Sequence, residues 1–162
     1  MGIPERSRER VEEYLAGLEE THGSFPVNQT TVSLPAERFR SVNERDSEGW
    51  IEAYIEVRNE TSEVLHVTNG GDRTLPGVRV SATRNLESRI RQTVERLAGI
   101  QCSVDGLERA TIAGIRNADD PEHATVYHMV VVFAGRHVGG ALGENAEAEW
   151  DAAVRENNPL AR

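Results

Sequence analysis

The residues best suited to chemistry lie in one segment, residues 75–100, which reads LPGVRVSATRNLESRIRQTVERLAGI. The segment is rich in arginine, whose paired N–H donors suit phosphate groups. Its acids are Glu87 and Glu95. A divalent cation such as Mg²⁺ requires several oxygen ligands. The segment could therefore act on phosphate with a metal, bind phosphate without one, or only support a fold.

A helix is predicted over residues 86–98, because Leu86, Ile90, Val94 and Leu97 recur at helical spacing and form one apolar stripe. Gly99 follows as the C-terminal stop of that helix. Most polar residues of the segment are thus placed on, or just before, one amphipathic helix.

Hydrophobic periodicity predicts further helices and strands around this one. The predicted helices cover residues 4–20 and, beginning at a proline, 35–45. The predicted strands cover residues 27–35, 50–59, 64–69, 107–117 and 125–133. Since the last of these is almost continuously apolar, it is expected to be the central strand, buried on both faces.

Two segments are predicted to be irregular in part. GGDRT, residues 70–74, is predicted as a loop because its glycines match no phosphate-binding pattern. Residues 144–157 are predicted to begin as an acidic loop or edge strand and to end as a C-terminal helix.

Composition narrows the class of protein. The chain has 162 residues, of which 38% are hydrophobic and 28% charged, which is typical of one globular domain. All 18 basic residues are arginine, yet the net charge is −9, which disfavours nucleic-acid binding. No apolar run is long enough for a membrane span. MGIPERSRER has no apolar h-region, so a cytoplasmic location is predicted. The lone Cys102 is predicted to be a small buried residue.

The order of elements and the apolar positions of residues 75–100 resemble the Nudix family. The family signature is G-x5-E-x7-R-E-U-x-E-E-x-G-U, with U apolar, usually preceded by LPG. Residues 75–77 are LPG, and Leu86, Val94, Gly99 and Ile100 also match. The likeness covers about residues 48–150 and implies a three-layer α/β/α sandwich with a mixed β-sheet in a single domain. Residues 1–47 are then an N-terminal helix, strand and short helix packed on a Nudix-like domain, residues 48–162.

The catalytic positions of the signature depart from the family. In the ungapped register its first glutamate falls on Arg84, and its Arg-Glu pair falls on residues 92–93, which are Gln-Thr. Its Glu-Glu pair falls on Arg96 and Leu97. Nudix enzymes hold Mg²⁺ with carboxylates on this helix, and arginine and leucine offer the metal no oxygen. No metal site and no cofactor are therefore expected.

Two interpretations of the altered helix remain open. In the first, Arg96 is solvated and Leu97 widens the apolar stripe. In the second, Arg79, Arg84 and Arg96 face the site that the resemblance implies, and they bind phosphate directly in place of a metal.

Three acids are candidates for residual catalysis. Glu87 lies on the predicted helix, and Glu144 and Glu147 lie in the later acidic segment. The resemblance implies that a loop after the central strands can supply a general base, although a solvated acidic loop explains the same residues.

The sequence thus favours a divergent Nudix-fold protein that lacks standard Mg²⁺-dependent pyrophosphohydrolase activity and binds a nucleoside-diphosphate-type ligand such as ADP-ribose. One alternative is an active Nudix hydrolase of nucleoside diphosphate derivatives that draws carboxylates from outside the signature and uses Mg²⁺. Another is a protein-interaction module. Neither nucleic acid nor membrane is expected as a partner, and the oligomeric state is left open.

Overall fold

A computed structural model describes residues 3–46, 50–80 and 85–152 of the chain. Its helices are α1 (Ile3–His22), α2 (Ala36–Asp46) and α3 (Leu86–Ala98). Gly23 and Gly99 follow α1 and α3 with φ angles of 72° and 80°, a left-handed backbone that glycine adopts without steric cost. The three predicted helices are confirmed, and each end lies within two residues of its predicted position.

The strands form a mixed sheet. They are β1 (Val27–Leu34), β2 (Ile51–Arg58), β3 (Val64–Asn69), β4 (Asp72–Thr74), β5 (Gly77–Val80), β6 (Gln101–Asn117), β7 (Val126–Gly139) and β8 (Ala148–Asp151). Within the described residues the order is β1-β6-β7-β2-β3-β4, with β5 beside β2 and β8 beside β3. β1 runs parallel to β6, whereas β2, β4 and β8 are antiparallel to β3. The α/β fold class and its mixed β-sheet are confirmed.

The backbone divides into two compact units, and strands β2, β5, β6 and β7 contribute residues to both. Unit 1 contains the described residues of Met1–Glu52, Arg79–Arg84 and Arg109–Val131. Its core includes a buried cluster. The cluster consists of Phe39, Trp50, Ile115 and Val126, with Leu34 and Val42 packed against it.

Unit 2 contains the described residues of Ala53–Val78, Asn85–Glu108 and Val132–Arg162. One of its core clusters consists of Val64, Leu75 and Val132, with Tyr54 packed against them. Along β2, buried and half-buried residues alternate as the sequence predicts, because successive side chains of a strand point to opposite faces.

Three sequence predictions need correction or extension. Residues 70–74 are not a loop throughout, because β4 pairs with β3 through a turn at Gly70 and Gly71, whose φ angles are 60° and 88°. β6 begins six residues before the predicted strand, and β7 continues six residues beyond it. The predicted helix at the end of residues 144–157 falls mostly outside the described residues, whereas the edge strand predicted there is β8.

None of the described helices is both long enough and apolar enough to cross a membrane.

Candidate functional site

Helix α3 carries three of the positions at which the Nudix signature has a glutamate, namely Thr93, Arg96 and Leu97. Its apolar stripe is buried through Leu86, Ile90, Val94 and Ala98, and Leu97 lies at the edge of the stripe, half-buried. Thr93 is 6% exposed, and its hydroxyl donates to the backbone carbonyl of Arg89 at 2.9 Å. The hydroxyl proton of Thr93 is therefore used inside the helix.

Arg96 lies on a groove of unit 2 with a volume of about 580 Å³. The groove is lined by residues of β3, of the last turn of α3 and of the loop before β8. These are Val67, Thr68, Glu95, Arg96, Leu97, Gly99, Gly143, Glu144, Asn145, Ala146 and Glu147. The structure thus brings Arg96 together with Glu144 and Glu147.

Backbone contacts hold the loop beside α3. The N–H of Gly143 donates to the carbonyl of Ala98 at 3.0 Å, and the N–H of Thr68 donates to the carbonyl of Glu147 at 2.8 Å. A Cβ atom at Gly99 would lie 3.1 Å from the nitrogen of Gly143, so the missing side chain of Gly99 lets the loop approach the helix end. The carboxylate-bearing loop is therefore placed by main-chain hydrogen bonds.

The groove has a negative electrostatic balance. Glu95, Glu144 and Glu147 are exposed and outnumber Arg96 among its charged residues. The C-terminal end of α3 adds the partial negative charge of its last carbonyl groups. The groove therefore disfavours a free anion.

A second cluster lies in unit 1 and joins β2, β5 and β7. Nε2 of His128 lies 3.7 Å from Oε2 of Glu52, and Nη2 of Arg79 lies 3.5 Å from Oε1 of the same carboxylate. The rings of His128 and Trp50 are stacked, with centroids 4.3 Å apart and an angle of 5° between their planes. Cζ of Arg79 lies 4.8 Å from the Trp50 centroid, a cation–π contact. Glu52 thus holds Arg79 and His128 beside one aromatic ring.

The aromatic ring of this cluster is fixed by its surroundings. Trp50 is 6% exposed, and its carbonyl accepts from the N–H of Met129 at 3.0 Å. The indole Nε1 is buried and has no hydrogen-bond partner among the described residues. Arg79, by contrast, has a side chain that is 43% exposed. Its guanidinium can meet a ligand from solvent while Glu52 and Trp50 restrain its orientation.

The predicted site residues are thus distributed over both units. Arg79 belongs to the cluster of unit 1, and Arg96, Glu144 and Glu147 line the groove of unit 2. Glu87 is half-buried in the first turn of α3 and is not among the residues that line this groove. Arg84 lies outside the described residues.

Sequence reasoning missed two members of the unit 1 cluster, Trp50 and Glu52. Glu52 lies on β2 and Trp50 immediately precedes the strand, so the i, i+2 spacing that puts two side chains on the same face is the sequence signal for this pair. His128, the third member beside Arg79, is buried, with 5% of its surface exposed. Among the described residues, no three His, Cys, Asp or Glu side chains are placed so that they could hold a metal ion.

A polar network also ties β8 to β3 and β4 in unit 2. Arg73 contacts Glu149 at 3.1 Å and Asp151 at 3.3 Å. Nδ1 of buried His66 lies 3.1 Å from Oδ2 of Asp151, close enough for an ion pair but without the alignment of a hydrogen bond. The network explains how β8 is anchored.

Cys102 is 6% exposed, which confirms the prediction of a buried residue. Burial raises the pKa of its thiol, so the thiolate is rarer at neutral pH than in a free cysteine.

We expect iodoacetamide to alkylate Cys102 in the native protein at least roughly tenfold more slowly than in the urea-unfolded protein at the same pH. Mass spectrometry of timed samples measures both rates. Equal rates would show that Cys102 is accessible in the fold.

No protein-family model and no curated protein matches the sequence. Solved structures with a similar fold include an ADP-ribose pyrophosphatase of Streptococcus suis, with 16% identity, a TM-score of 0.45 and coverage of 64% of this chain and 73% of that one. A MutT protein of Methanosarcina mazei has 24% identity and a TM-score of 0.45, and the match covers 64% of this chain and 76% of that one. A Nudix hydrolase of Nitrosomonas europaea has 12% identity and a TM-score of 0.47, and the match covers 70% of this chain and 61% of that one. The likeness concerns the fold, and no residue role is carried over from it.

Proposed function

We propose that the protein binds a nucleoside-diphosphate-type ligand, such as ADP-ribose, and lacks standard Mg²⁺-dependent pyrophosphohydrolase activity. The observation that carries this proposal is the state of three α3 positions at which the Nudix signature has a glutamate. Thr93 is buried with its hydroxyl bonded inside the helix, Arg96 is exposed, and Leu97 is half-buried.

The chemistry of these side chains opposes a metal at this face of the helix. Mg²⁺ takes oxygen ligands in near-octahedral geometry and needs at least one or two carboxylates from the protein. The hydroxyl of Thr93 is neutral and points its proton at Arg89, and Leu97 has no donor atom. Arg96 adds a positive charge, which repels a cation. The apolar and turn positions that build the helix are nevertheless kept.

Arg79 is the best-supported phosphate contact. Its guanidinium is restrained by Glu52 and lies over Trp50, so it loses less side-chain freedom on binding than an unrestrained arginine would. Its 43% exposure leaves N–H donors within reach of a ligand. A planar guanidinium can then donate two parallel hydrogen bonds to phosphate oxygens.

Arg96 is a weaker phosphate contact in this proposal. It is exposed, and within the described residues its guanidinium has no hydrogen bond or ion pair. Glu95, Glu144 and Glu147 line the same groove, however, and their charges oppose an anion. We therefore expect Arg96 to contribute less to affinity than Arg79.

The test is a titration of ¹⁵N-labelled protein with ADP-ribose in metal-free buffer, followed by NMR. We expect saturable shifts at the backbone and guanidinium signals of Arg79 and smaller shifts around Arg96. Adenosine is the matched probe, because it has the nucleoside and no phosphate, and it should bind more weakly. A spectrum that ADP-ribose leaves unchanged would refute the binding proposal.

An active hydrolase is the second candidate, and one observation favours it. Glu144 and Glu147 lie on the same groove as the end of α3, where carboxylates could attract Mg²⁺ or activate water. If this candidate is right, Mg²⁺-dependent hydrolysis of ADP-ribose will be measurable. It will then be lost in the double variant Glu144→Gln, Glu147→Gln and kept in Glu87→Gln, because Glu87 does not line the groove.

The location of the protein is also part of the proposal. A buried, unpaired cysteine and a nucleotide-type ligand both fit the cytoplasm, where thiols stay reduced. Nucleic acid is not proposed as a partner, because the net charge of −9 repels polyanions.

A further inference from the structure

Strand β1 lies at the edge of the sheet and lacks the charged residues and prolines that usually keep an edge strand from pairing with another strand. Within the described residues it lies at one end of the sheet and pairs with β6 alone. Its sequence, VNQTTVSL, contains no charged residue and no proline, and its first five residues are exposed. Edge strands of soluble proteins normally carry charges, prolines or bulges that prevent pairing with another strand. Among the residues that the structure describes, none pairs with the outer edge of β1, and this edge can accept a further strand.

The backbone hydrogen bonds to β6 show which groups of β1 are open. The carbonyl of Pro26 accepts from Ala110 at 3.0 Å, and the carbonyl of Leu34 accepts from Ala118 at 2.8 Å. Because this direction alternates along a strand, even-numbered residues turn their N–H and C=O groups toward β6. Val27, Gln29, Thr31 and Ser33 consequently turn theirs away from β6.

A groove of about 540 Å³ in unit 1 lies between α1 and the face of the sheet, and it extends from β1 to Ile112 of β6 and Tyr127 of β7. Gln29, Thr30 and Thr31 line it, together with Arg8 and Glu12 of α1, which form an ion pair of 3.5 Å. Side chains of an added strand would point alternately into this groove and to the opposite face of the sheet. Side chains on the α1 face of an added strand would therefore lie next to the part of this groove that Gln29, Thr30 and Thr31 line.

We propose that β1 pairs antiparallel with β1 of a second copy of this chain, so that two sheets join into one across a two-fold axis. Two copies with a net charge of −9 repel each other, and an uncharged strand lets them meet with least repulsion. A two-fold axis also requires a surface that is complementary to itself.

The register of such a pair follows from the open backbone groups. Hydrogen-bonded pairs must join odd-numbered residues of both copies, so the axis passes through a residue. With the axis at Thr30, Gln29 pairs with Thr31 of the second copy, and Val27 pairs with Ser33 of the second copy. Each of these pairs occurs twice and exchanges two bonds, which gives roughly eight backbone hydrogen bonds. Thr30 then faces its own counterpart in a close, non-hydrogen-bonded pair.

The experiment is analytical ultracentrifugation of the full chain over a range of concentrations. We expect the wild-type protein to reach twice the monomer mass at high micromolar concentration. Thr30→Lys and Thr30→Glu place like charges opposite each other and should each be monomeric. An equimolar mixture of these two variants should recover the dimer mass. Gln92→Lys, an exposed charge change on α3, is the matched control and should dimerise like the wild type.

A second measurement keeps the proposal falsifiable if a charged variant folds poorly. Thr30→Cys should form an intermolecular disulfide on mild oxidation, and Thr31→Cys should not, because its counterpart is displaced along the strand. A wild-type protein that stays monomeric throughout the concentration range overturns the proposal. A dimer that Thr30→Lys and Gln92→Lys leave equally intact also overturns the proposal, because the contact between the two copies would then lie elsewhere on the chain. None of these outcomes depends on ADP-ribose.

Discussion

Replacing Gly135 with alanine is expected to destabilise the protein by about 3 kcal/mol. A Cβ atom at this position of β7 would lie 2.3 Å from the carbonyl oxygen of Ser103 and 2.8 Å from Cδ1 of Ile55. The oxygen belongs to the backbone of β6, so it cannot move without opening the sheet. For a chain of this length the loss corresponds to a fall of roughly 10 °C in Tm.

Gly106→Ala is the matched control for this substitution. Gly106 lies on β6, and a Cβ atom there would meet no atom within 4 Å. We expect Gly106→Ala to change the free energy of unfolding by less than about 1 kcal/mol, because a methyl group on an open strand surface creates no clash. Urea denaturation of both variants measures the difference. Equal stabilities of the two variants would contradict the close approach of β6 and β7 at Gly135.

Replacing Arg79 with alanine is expected to weaken the binding of ADP-ribose about 30-fold, which is the typical effect of losing hydrogen bonds to a charged group. The substitution removes a guanidinium that Glu52 and Trp50 hold in place. Arg79→Lys keeps the charge but not the planar fork, so it should recover only part of the affinity. Isothermal titration calorimetry in metal-free buffer measures the three affinities.

Arg136→Ala is the control for the loss of one positive charge. Arg136 is exposed in unit 2 and pairs with Asp105 at 2.8 Å, a hydrogen bond that lowers the pKa of that carboxyl group. It contacts neither the unit 1 cluster nor the groove beside α3 in any described interaction. Binding of ADP-ribose should therefore be nearly unchanged in Arg136→Ala. If Arg79→Ala and Arg136→Ala bind equally well, Arg79 does not contact the ligand.

Much of the fold follows from local sequence patterns. The stripe of α3 and the alternation along β2 are periodic signals, and Gly99 closes α3 as its position predicts. The hairpin of β3 and β4 departs from the predicted loop at residues 70–74. Two glycines with positive φ make a tight two-residue turn that continues the pairing of the strands.

The early part of β6 carries little signal of its own. Residues 101–108 are mostly polar or half-buried and include Gly106, so their strand conformation depends on pairing with neighbouring strands rather than on a local pattern. Such pairing partners are far away in the sequence, and composition does not reveal them.

The candidate site illustrates the same limit. The N–H of Met129 donates to the carbonyl of Trp50, and this contact between distant residues brings His128, the neighbour of Met129, onto the Trp50 ring. Glu147 reaches the groove through a backbone hydrogen bond to Thr68. A single sequence indicates that these residues are capable of chemistry, but the sheet register decides which of them meet.

We propose that the protein binds ADP-ribose without hydrolysing it by the standard metal-dependent reaction, and ³¹P NMR of ADP-ribose with a stoichiometric amount of protein tests this claim most directly. In metal-free buffer we predict that the two diphosphate resonances shift or broaden. After addition of Mg²⁺ or Mn²⁺ we predict that no phosphomonoester resonances grow over time. Growth of AMP and ribose 5-phosphate resonances that depends on the metal would contradict the claim, because water would then be cleaving the P–O–P bond.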